Sequence, residues 1–464
     1  MSLQFITGNS GNGKTKYLFN RIVKEAKANP RDNYLVIVPE QFTMQTQRQL
    51  VDLSENKAIM NIDVLSFKRL AYRVFDELGI TNLTVLEETG KNLVLRKLAA
   101  QEADKLGVIG RNLNRIGYIS EVKSLLSELV QYNISPEELG RYIASGRLSD
   151  TLSDKLKDVL VLYEAFEKFM QDKYITAEEI LNVLSNVAEE SAILRNSVIA
   201  FDEFTGFTPI HNQLIKKLFV ISKKIYVTLT IDCREDIFKS RGMQELFDMP
   251  KRTVKSLTEM AAFYGIEVEE PIILDKNYRL AENEELSFME QQLFRKRRCS
   301  FKKVPKHIHI DCLRDPKQEL TKIARRINEL VRNENLRYRD IAIVTGDVNI
   351  YAGYVREIFD KYNIPYFIDA TQEILFHPFI EFIRSIPDIA AQNFSADAVF
   401  RFLRCGFSEL LDSEIDVLEN YVLACGVRGK SAWDKKWVRL PKHKAGYDLE
   451  LLNQSREYIM ELLK

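Results

Sequence analysis

Gly8-Asn9-Ser10-Gly11-Asn12-Gly13-Lys14-Thr15 is the stretch on which the reading of this chain turns. It follows a short apolar run, Leu3 to Thr7. It precedes Leu18, Ile22 and Ala26, which recur at helical spacing with Lys24 and Lys27 off the stripe. Strand, glycine-rich turn and helix make the frame of the G-x-x-x-x-G-K-[ST] phosphate loop. Glycines let amide hydrogens turn inward around phosphate oxygens without Cβ clashes, and the helix adds its positive N-terminal end. In that frame Gly8, Asn9, Ser10, Gly11, Asn12 and Gly13 cradle the phosphates of ATP. Lys14 brings a mobile charge to the β- and γ-phosphates, and the Thr15 hydroxyl ligates Mg²⁺. The expectation is an α/β domain of the P-loop NTPase, RecA-like kind, built on a parallel sheet.

Working outward, Tyr34 to Val38 (YLVIV) is a continuous apolar run ending at Pro39, the pattern of a buried parallel strand. With the loop and helix before it, this makes a βαβ unit. Ser197–Phe201 and Lys224–Thr230 return as strands of the same sheet. The first of them ends in Asp202-Glu203. Downstream of a phosphate loop, Asp202 is expected to hold Mg²⁺ through water and Glu203 to polarise the attacking water. Two acids at a strand end also fit ordinary solvated carboxylates. From about Gly79 to Arg195 the periodicity is helical, with Asn92–Ala99, Ile119–Val130 and Leu156–Met170 carrying apolar residues at three- and four-residue steps. Further on, His307–Asp311, Ile341–Thr345 and Tyr366–Asp369 are strand candidates, separated by helical patterns over Lys317–Val331 and Ala352–Tyr362. The organisation read from this is a P-loop domain over 1–78 and 196–275 and a helical insertion over 79–195. A second, partial RecA-like α/β region covers 276–376. A helical subdomain over 377–464 reads as truncated, since SREYIMELLK reaches Lys464 with no capping glycine.

The 464 residues exceed what one core accommodates. Hydrophobic residues at 45% and charged residues at 28% fit a soluble globular protein. No stretch reaches the roughly 18–20 uncharged apolar residues of a membrane span, and MSLQFITG lacks the pattern of a signal peptide. Cys233, Cys299, Cys312, Cys405 and Cys425 are scattered without a CxxC pair. That pattern suits reduced thiols in the cytoplasm and argues against a zinc or iron–sulfur site within these residues. The formal net charge is zero, so any nucleic-acid contact must come from a local groove.

Eight segments recur in an order that is more specific than any one motif. They are GNSGNGKT (8–15), VPEQFT (38–43), VLSFKRLAYRV (64–74), FDEFTGFTP (201–209), LSFMEQQLF (286–294), YRDIAIV (338–344), NIPYFID (363–369) and LENYVLACGVRG (418–429). Together they span essentially the whole chain. The series resembles the N-terminal part of the AddB subunits of bacterial AddAB helicase–nucleases, which stand on a UvrD-like superfamily 1 helicase scaffold. The resemblance implies work on DNA double-strand ends during recombinational repair, in a heterodimer with an AddA-type helicase–nuclease subunit. It also implies that the helicase-like part holds single-stranded DNA and scans it for the Chi signal. In this family a C-terminal nuclease domain with an iron–sulfur cluster does the cutting, and the present residues are expected to carry neither. Gln41, Thr43, Phe67, Arg69, Tyr72 and Phe207 match positions that line the DNA and Chi channel of AddB relatives. One arginine, an amide, a hydroxyl and three π-faces suit base stacking with base-edge reading. Phe67 and Phe207 also fit a core, and Gln41 a solvated loop. Arg295-Lys296-Arg297-Arg298, with Lys302 and Lys303 nearby, fits either phosphate contacts or a solvated linker.

Asn277-Tyr278-Arg279 resembles the helicase NYR motif, whose arginine faces the γ-phosphate; Arg279 equally fits a solvated helix start. Other segments depart from a working motor. The usual DEFQD reads Asp202-Glu203-Phe204-Thr205-Gly206, and the expected GDxxQ reads Ile231-Asp232-Cys233-Arg234. An adenine-reading glutamine has no place in the seven residues before Gly8, and the motif supplying a trans arginine finger would lie beyond Lys464. Losing such an arginine costs several orders of magnitude in turnover. Binding of ATP is therefore expected over its hydrolysis. Two readings stand: a DNA-scanning subunit whose nucleotide site is mainly structural, and an autonomous superfamily 1 DNA-dependent ATPase or translocase. A small-molecule P-loop kinase fits less well, given the helical insertion and the second α/β region.

Overall fold

Side chains alternate with period two along the first strands, and the alternation sorts them onto two faces of one sheet. In the computed structural model, which describes residues 1–464 apart from 82–83, 111–116, 147, 172–173, 296–298, 370–373, 442–445 and 464, the strands are β1 (Ser2–Gly8), β2 (Tyr34–Ile37), β3 (Ile62–Leu65), β4 (Val85–Leu86), β5 (Ile175–Thr176), β6 (Val198–Phe201), β7 (Lys224–Thr230), β8 (Glu267–Val268) and β9 (Ile272–Leu274). The main sheet has the order β3-β2-β6-β7-β1-β8, with β9 also on β1. Its described pairings are parallel. Strands β4 and β5 form a separate parallel pair.

Both faces of the sheet are covered, which is why its central strands read as unbroken apolar runs. Ile6, Tyr34, Val36, Val198, Ala200 and Tyr226 face α1 (Lys14–Ala28) and α2 (Thr43–Leu53). Leu3, Phe5, Leu35, Ile37, Ile199 and Phe201 face the other way. There they meet α3 (Phe67–Leu78) and three helices from later in the chain. Between α3 and those helices come α4 (Glu88–Gln101), α5 (Tyr118–Gln131), α6 (Pro136–Ala144) and α7 (Asp150–Met170). These four hold a core of their own around Leu95, Ile119, Leu126, Leu162 and Phe166, as the helical periodicity of that stretch predicts. Lys91 is buried within it, bonded to Glu88 at 2.9 Å and Glu178 at 2.7 Å. The chain returns to the sheet through α8 (Ile180–Val187), α9 (Pro209–Ile221) and α10 (Asp248–Phe263), followed by α11 (Glu284–Gln292).

Met1–His309 form one compact unit and Ile310–Lys464 another. The second holds α12 (Pro316–Asn333), α13 (Val348–Lys361), α14 (Pro378–Ala391), α15 (Ala396–Leu403), α16 (Asp412–Cys425), α17 (Lys430–Asp434) and α18 (Leu449–Leu462). Leu320, Ala324, Ile327, Ile358 and Phe359 join α12 to α13. Trp433, Trp437, Tyr421, Phe400 and Phe402 centre the core of α14 to α18. The helices expected over Lys317–Val331 and Ala352–Tyr362 form. The strands expected at His307–Asp311, Ile341–Thr345 and Tyr366–Asp369 do not: among the described residues these segments carry no strand pairing. Among the described residues of 276–376, helices form but no strand does, where strands of a second RecA-like sheet were expected. The physical reason is that apolar content alone does not make a strand; a ladder partner does. Ile310, Val344 and Phe367 remain 94%, 93% and 88% exposed.

Candidate functional site

Parallel strands place the loops after their C-terminal ends side by side, and in open α/β sheets that edge is where ligands bind. Here the edge gathers the glycine-rich turn after β1, the segments after β2 and β3, and the Asp202–Thr208 loop after β6. A cleft of about 700 Å³ lies there, with Lys14, Thr15, Asp202, Glu203, Tyr278 and Arg279 in its walls. Gly13, whose φ of 78° is left-handed, is the N-cap of helix α1. The Lys14 ammonium donates to the carbonyls of Gly8 at 3.0 Å and Asn9 at 2.9 Å. Burial pulls its pKa below the usual lysine value, against the opposing fields of Glu203 and Asp202. Thr15 Oγ1 lies 3.3 Å from both Asp202 Oδ1 and Glu203 Oε1.

Asp202 is almost fully buried. Thr228 donates its hydroxyl to Oδ1, while Oδ2 has no hydrogen-bond partner. Burial raises the pKa of this carboxyl above its ordinary value, with Glu203 adding in the same direction. An orphaned buried carboxylate oxygen costs free energy unless a cation or donor meets it. Glu203 follows in the left-handed region, φ 63°, where a non-glycine residue is strained.

The segment 274–290 closes over the loop. Asn12 Nδ2 donates to Leu274 O at 2.5 Å, Asn277 Nδ2 to Ser10 O at 3.0 Å, and Tyr278 N to Gly11 O at 3.0 Å. Gly11 has φ 89°, and a Cβ on it would meet Asn277 Oδ1 at 2.7 Å and Arg279 Cβ at 2.9 Å. Arg279 therefore stands at the cleft wall. Asn9, nearly buried, donates to Glu290 Oε1 at 2.6 Å and accepts from Cys233 N at 2.9 Å. Sequence reasoning placed Asn9 only among the phosphate-loop residues; its bridging role needs the fold.

Asp232 occupies the place after β7 where a motor carries GDxxQ. Its carboxylate is buried and bonded by Arg234 at 2.6 Å and Arg295 at 2.9 Å. Burial alone would raise its pKa; the bonds from Arg234 outweigh that and bring it to about 2. Arg295, the first residue of the basic run, is thus turned to Asp232 and lies over the Phe247 ring at 5.1 Å. Lys296, Arg297 and Arg298 lie outside the described residues.

The six residues expected to line a DNA channel lie beyond the C-terminal ends of the adjacent strands β2, β3 and β6: Gln41 in a turn, Thr43 at the start of α2, Phe67, Arg69 and Tyr72 in the first turns of α3, and Phe207 in the loop after β6. Gln41 is exposed in the turn Glu40–Phe42. Thr43 is buried at the start of α2, and its hydroxyl donates to Glu40 O at 3.0 Å. Phe67 is buried: its ring lies 5.8 Å from Phe201, 5.4 Å from Phe204, 6.4 Å from Phe207 and 4.3 Å from His211. Phe207 is half-buried in the same cluster. Arg69 is exposed and bonds Glu40 Oε1 through Nε at 2.8 Å. Tyr72 is partly exposed, edge-on to Phe75 at 6.2 Å. The sequence reading missed three residues here: Glu40, Phe204 and His211. For His211 a signal existed in Thr208-Pro209-Ile210-His211, a cap spacing in which Thr208 and the histidine bond reciprocally. Phe204 lies in the cleft wall as well as in the aromatic cluster.

Residues 5–290 match the family described as "ADDB, N-terminal". The chain belongs to the AddB family. Its similarity to curated AddB relatives runs well past the matched region. The chain is 39% identical over 99% of its length to a protein of Lachnoclostridium phytofermentans whose name makes it a subunit of an ATP-dependent helicase/deoxyribonuclease. Proteins of the same name from Clostridium tetani and Clostridioides difficile are 34% and 33% identical over 94% and 100% of this chain. The chain spans about 40% of the length of these AddB relatives. Among the described residues, no helix is long and apolar enough to cross a membrane.

Proposed function

We propose that this chain is the helicase-like part of an AddB-type subunit. Its RecA-like first domain binds ATP with Mg²⁺, and its adjoining loops hold single-stranded DNA. It works with an AddA-type helicase–nuclease partner in processing DNA double-strand ends, scanning the strand for Chi, in the cytoplasm. The observation that carries the nucleotide reading is the unpartnered, buried Oδ2 of Asp202 beside the Thr15 hydroxyl at the foot of a phosphate loop. Mg²⁺ takes oxygen ligands, a carboxylate and a hydroxyl among them, and keeps its other positions for phosphate oxygens and water. Thr15 and Asp202 fit that role. Bound there, the ion would neutralise charge on the β- and γ-phosphates. Lys14 exchanges two backbone carbonyls for phosphate oxygens, and Arg279 faces the same cleft. The missing GDxxQ glutamine after β7, where Asp232 is instead held by Arg234 and Arg295, supports binding over turnover.

The DNA reading rests on the segments that follow three adjacent strands, a turn, the start of α3 and a loop, which combine Gln41, Arg69, Tyr72 and the Phe67–Phe207 cluster. One observation favours the second reading, an autonomous translocase: the Glu203 carboxylate is present and within reach of Thr15. ATP binding and turnover with single-stranded DNA, wild type against Lys14→Ala, separates the two. The proposed function predicts that the substitution abolishes nucleotide binding while turnover stays near background in both proteins. A DNA-stimulated rate well above background, lost in Lys14→Ala, would establish the translocase instead.

A further inference from the structure

Glu40 lies between two of the loops that carry the DNA reading, and none of the motif roles assigned above uses it. Its carboxylate accepts a hydrogen bond from the Ser66 hydroxyl and another, at 2.8 Å, from Arg69 Nε. Its own carbonyl accepts from Thr43 Oγ1. Ser66 is also the N-cap of α3, taking the amide hydrogen of Arg69 at 3.3 Å. One carboxylate thus ties the turn that presents Gln41 to the helix start that presents Phe67 and Arg69.

The pair is more than half exposed on both sides, and such pairs are worth only about 0–1 kcal/mol to stability. Its placement has a consequence beyond folding. The bond to Glu40 engages Nε, and among the described residues the Nη1 and Nη2 edge of Arg69 has no protein partner. That edge is the fork with which arginine meets two acceptors at once, on a guanine edge or on a phosphate.

We propose that Glu40 is a positioning residue for single-stranded DNA: it holds Arg69 by Nε so that the Nη edge faces a paired acceptor on the strand. The inference rests on the DNA reading given above. Positioning and simple electrostatics predict opposite signs. Removing a carboxylate beside a DNA groove should tighten binding if only net charge matters. If Glu40 aims Arg69, the same change weakens binding.

The test measures affinities of the full chain for two oligonucleotides of equal length, oligo-dT and a mixed sequence containing guanines, at fixed salt. The proteins are wild type, Glu40→Gln, Arg69→Ala and the double variant, each checked by thermal melting. Arg69→Ala is expected to weaken binding about tenfold and Glu40→Gln about threefold, with no added loss from Glu40→Gln in the Arg69→Ala background. Loss on both oligonucleotides assigns the acceptor to phosphate; loss confined to the guanine-containing one assigns it to a base edge. Unchanged or tighter binding by Glu40→Gln while Arg69→Ala weakens it overturns the positioning role. So does an equal loss from Glu40→Gln in both backgrounds. Unchanged affinity in Arg69→Ala on both oligonucleotides removes the DNA assignment of this loop, and the inference with it.

Discussion

Burial pushes the pKa of His211 down from 6.5 to about 4, and its ring lies 4.3 Å from Phe67 at the centre of the aromatic cluster. The folded state therefore favours neutral imidazole. Its contribution to stability is complete above pH 6.5 and is lost as pH falls through about 4, worth up to roughly 3 kcal/mol. Urea melts of wild type and His211→Gln should show the difference between the two proteins shrinking over that window. A difference independent of pH between 7 and 4 would mean the ring titrates normally. Phe67 raises a related point. It is buried at the same place, so Phe67→Ala should cost about 3–5 kcal/mol of stability. DNA affinity lost in that variant cannot be separated from loss of the fold. Phe67→Leu, which keeps most of the volume, should melt close to wild type and report the loss of the π-face alone. At this scale the sequence showed which residue types were present, but not their partners. The environment of Asp202 depends on Thr228, and the capture of Asp232 is completed by Arg295; both partners come from other parts of the chain, while Arg234 is a local neighbour of Asp232.

The turn over residues 8–15 and the 277–279 segment meet closely at Gly11. Gly11 is glycine there for two reasons, a left-handed φ of 89° and the absence of room for a Cβ beside Asn277 and Arg279. Gly11→Ala should displace that segment, lower the melting temperature and weaken nucleotide binding together. Gly79, at φ 69° after α3, has open space around it. Gly79→Ala should cost about 1–2 kcal/mol and leave nucleotide affinity unchanged, so the pair separates close packing from backbone strain. Calorimetric titration with ATP and Mg²⁺ reads both. Four strands of the main sheet were legible as apolar runs, and several helices as period-3.6 patterns, because both signals are local; the short strands β3, β8 and β9 were not read from the sequence. The Lys224–Thr230 strand appears with the very ends that its apolar run suggested. Ile341–Thr345 has the same apolar character and forms no described pairing, since a strand depends on a neighbour that its own residues do not specify.

Across the whole molecule, every residue of the proposed nucleotide cleft and of the proposed DNA face lies within Met1–His309, one of the two compact units. A protein ending at His309 should therefore bind ATP and single-stranded DNA with the affinities of the full chain. A loss of more than about tenfold, or roughly 1.4 kcal/mol, in a fragment that still melts cooperatively would place part of the site in Ile310–Lys464.

The sequence alone determined that a strand, a glycine turn and a helix follow one another at residues 2–28. It also determined that an acid pair ends a later strand and that the chain carries the ordered segments of its family. These are properties of neighbouring residues, set by backbone sterics and side-chain periodicity. Only the tertiary structure decided that Asn9 bridges Cys233 and Glu290, that Asp232 is neutralised by two arginines, and that Glu40 holds Arg69. Those contacts join residues up to hundreds of positions apart, and no local pattern encodes which charges a fold will bring within bonding distance.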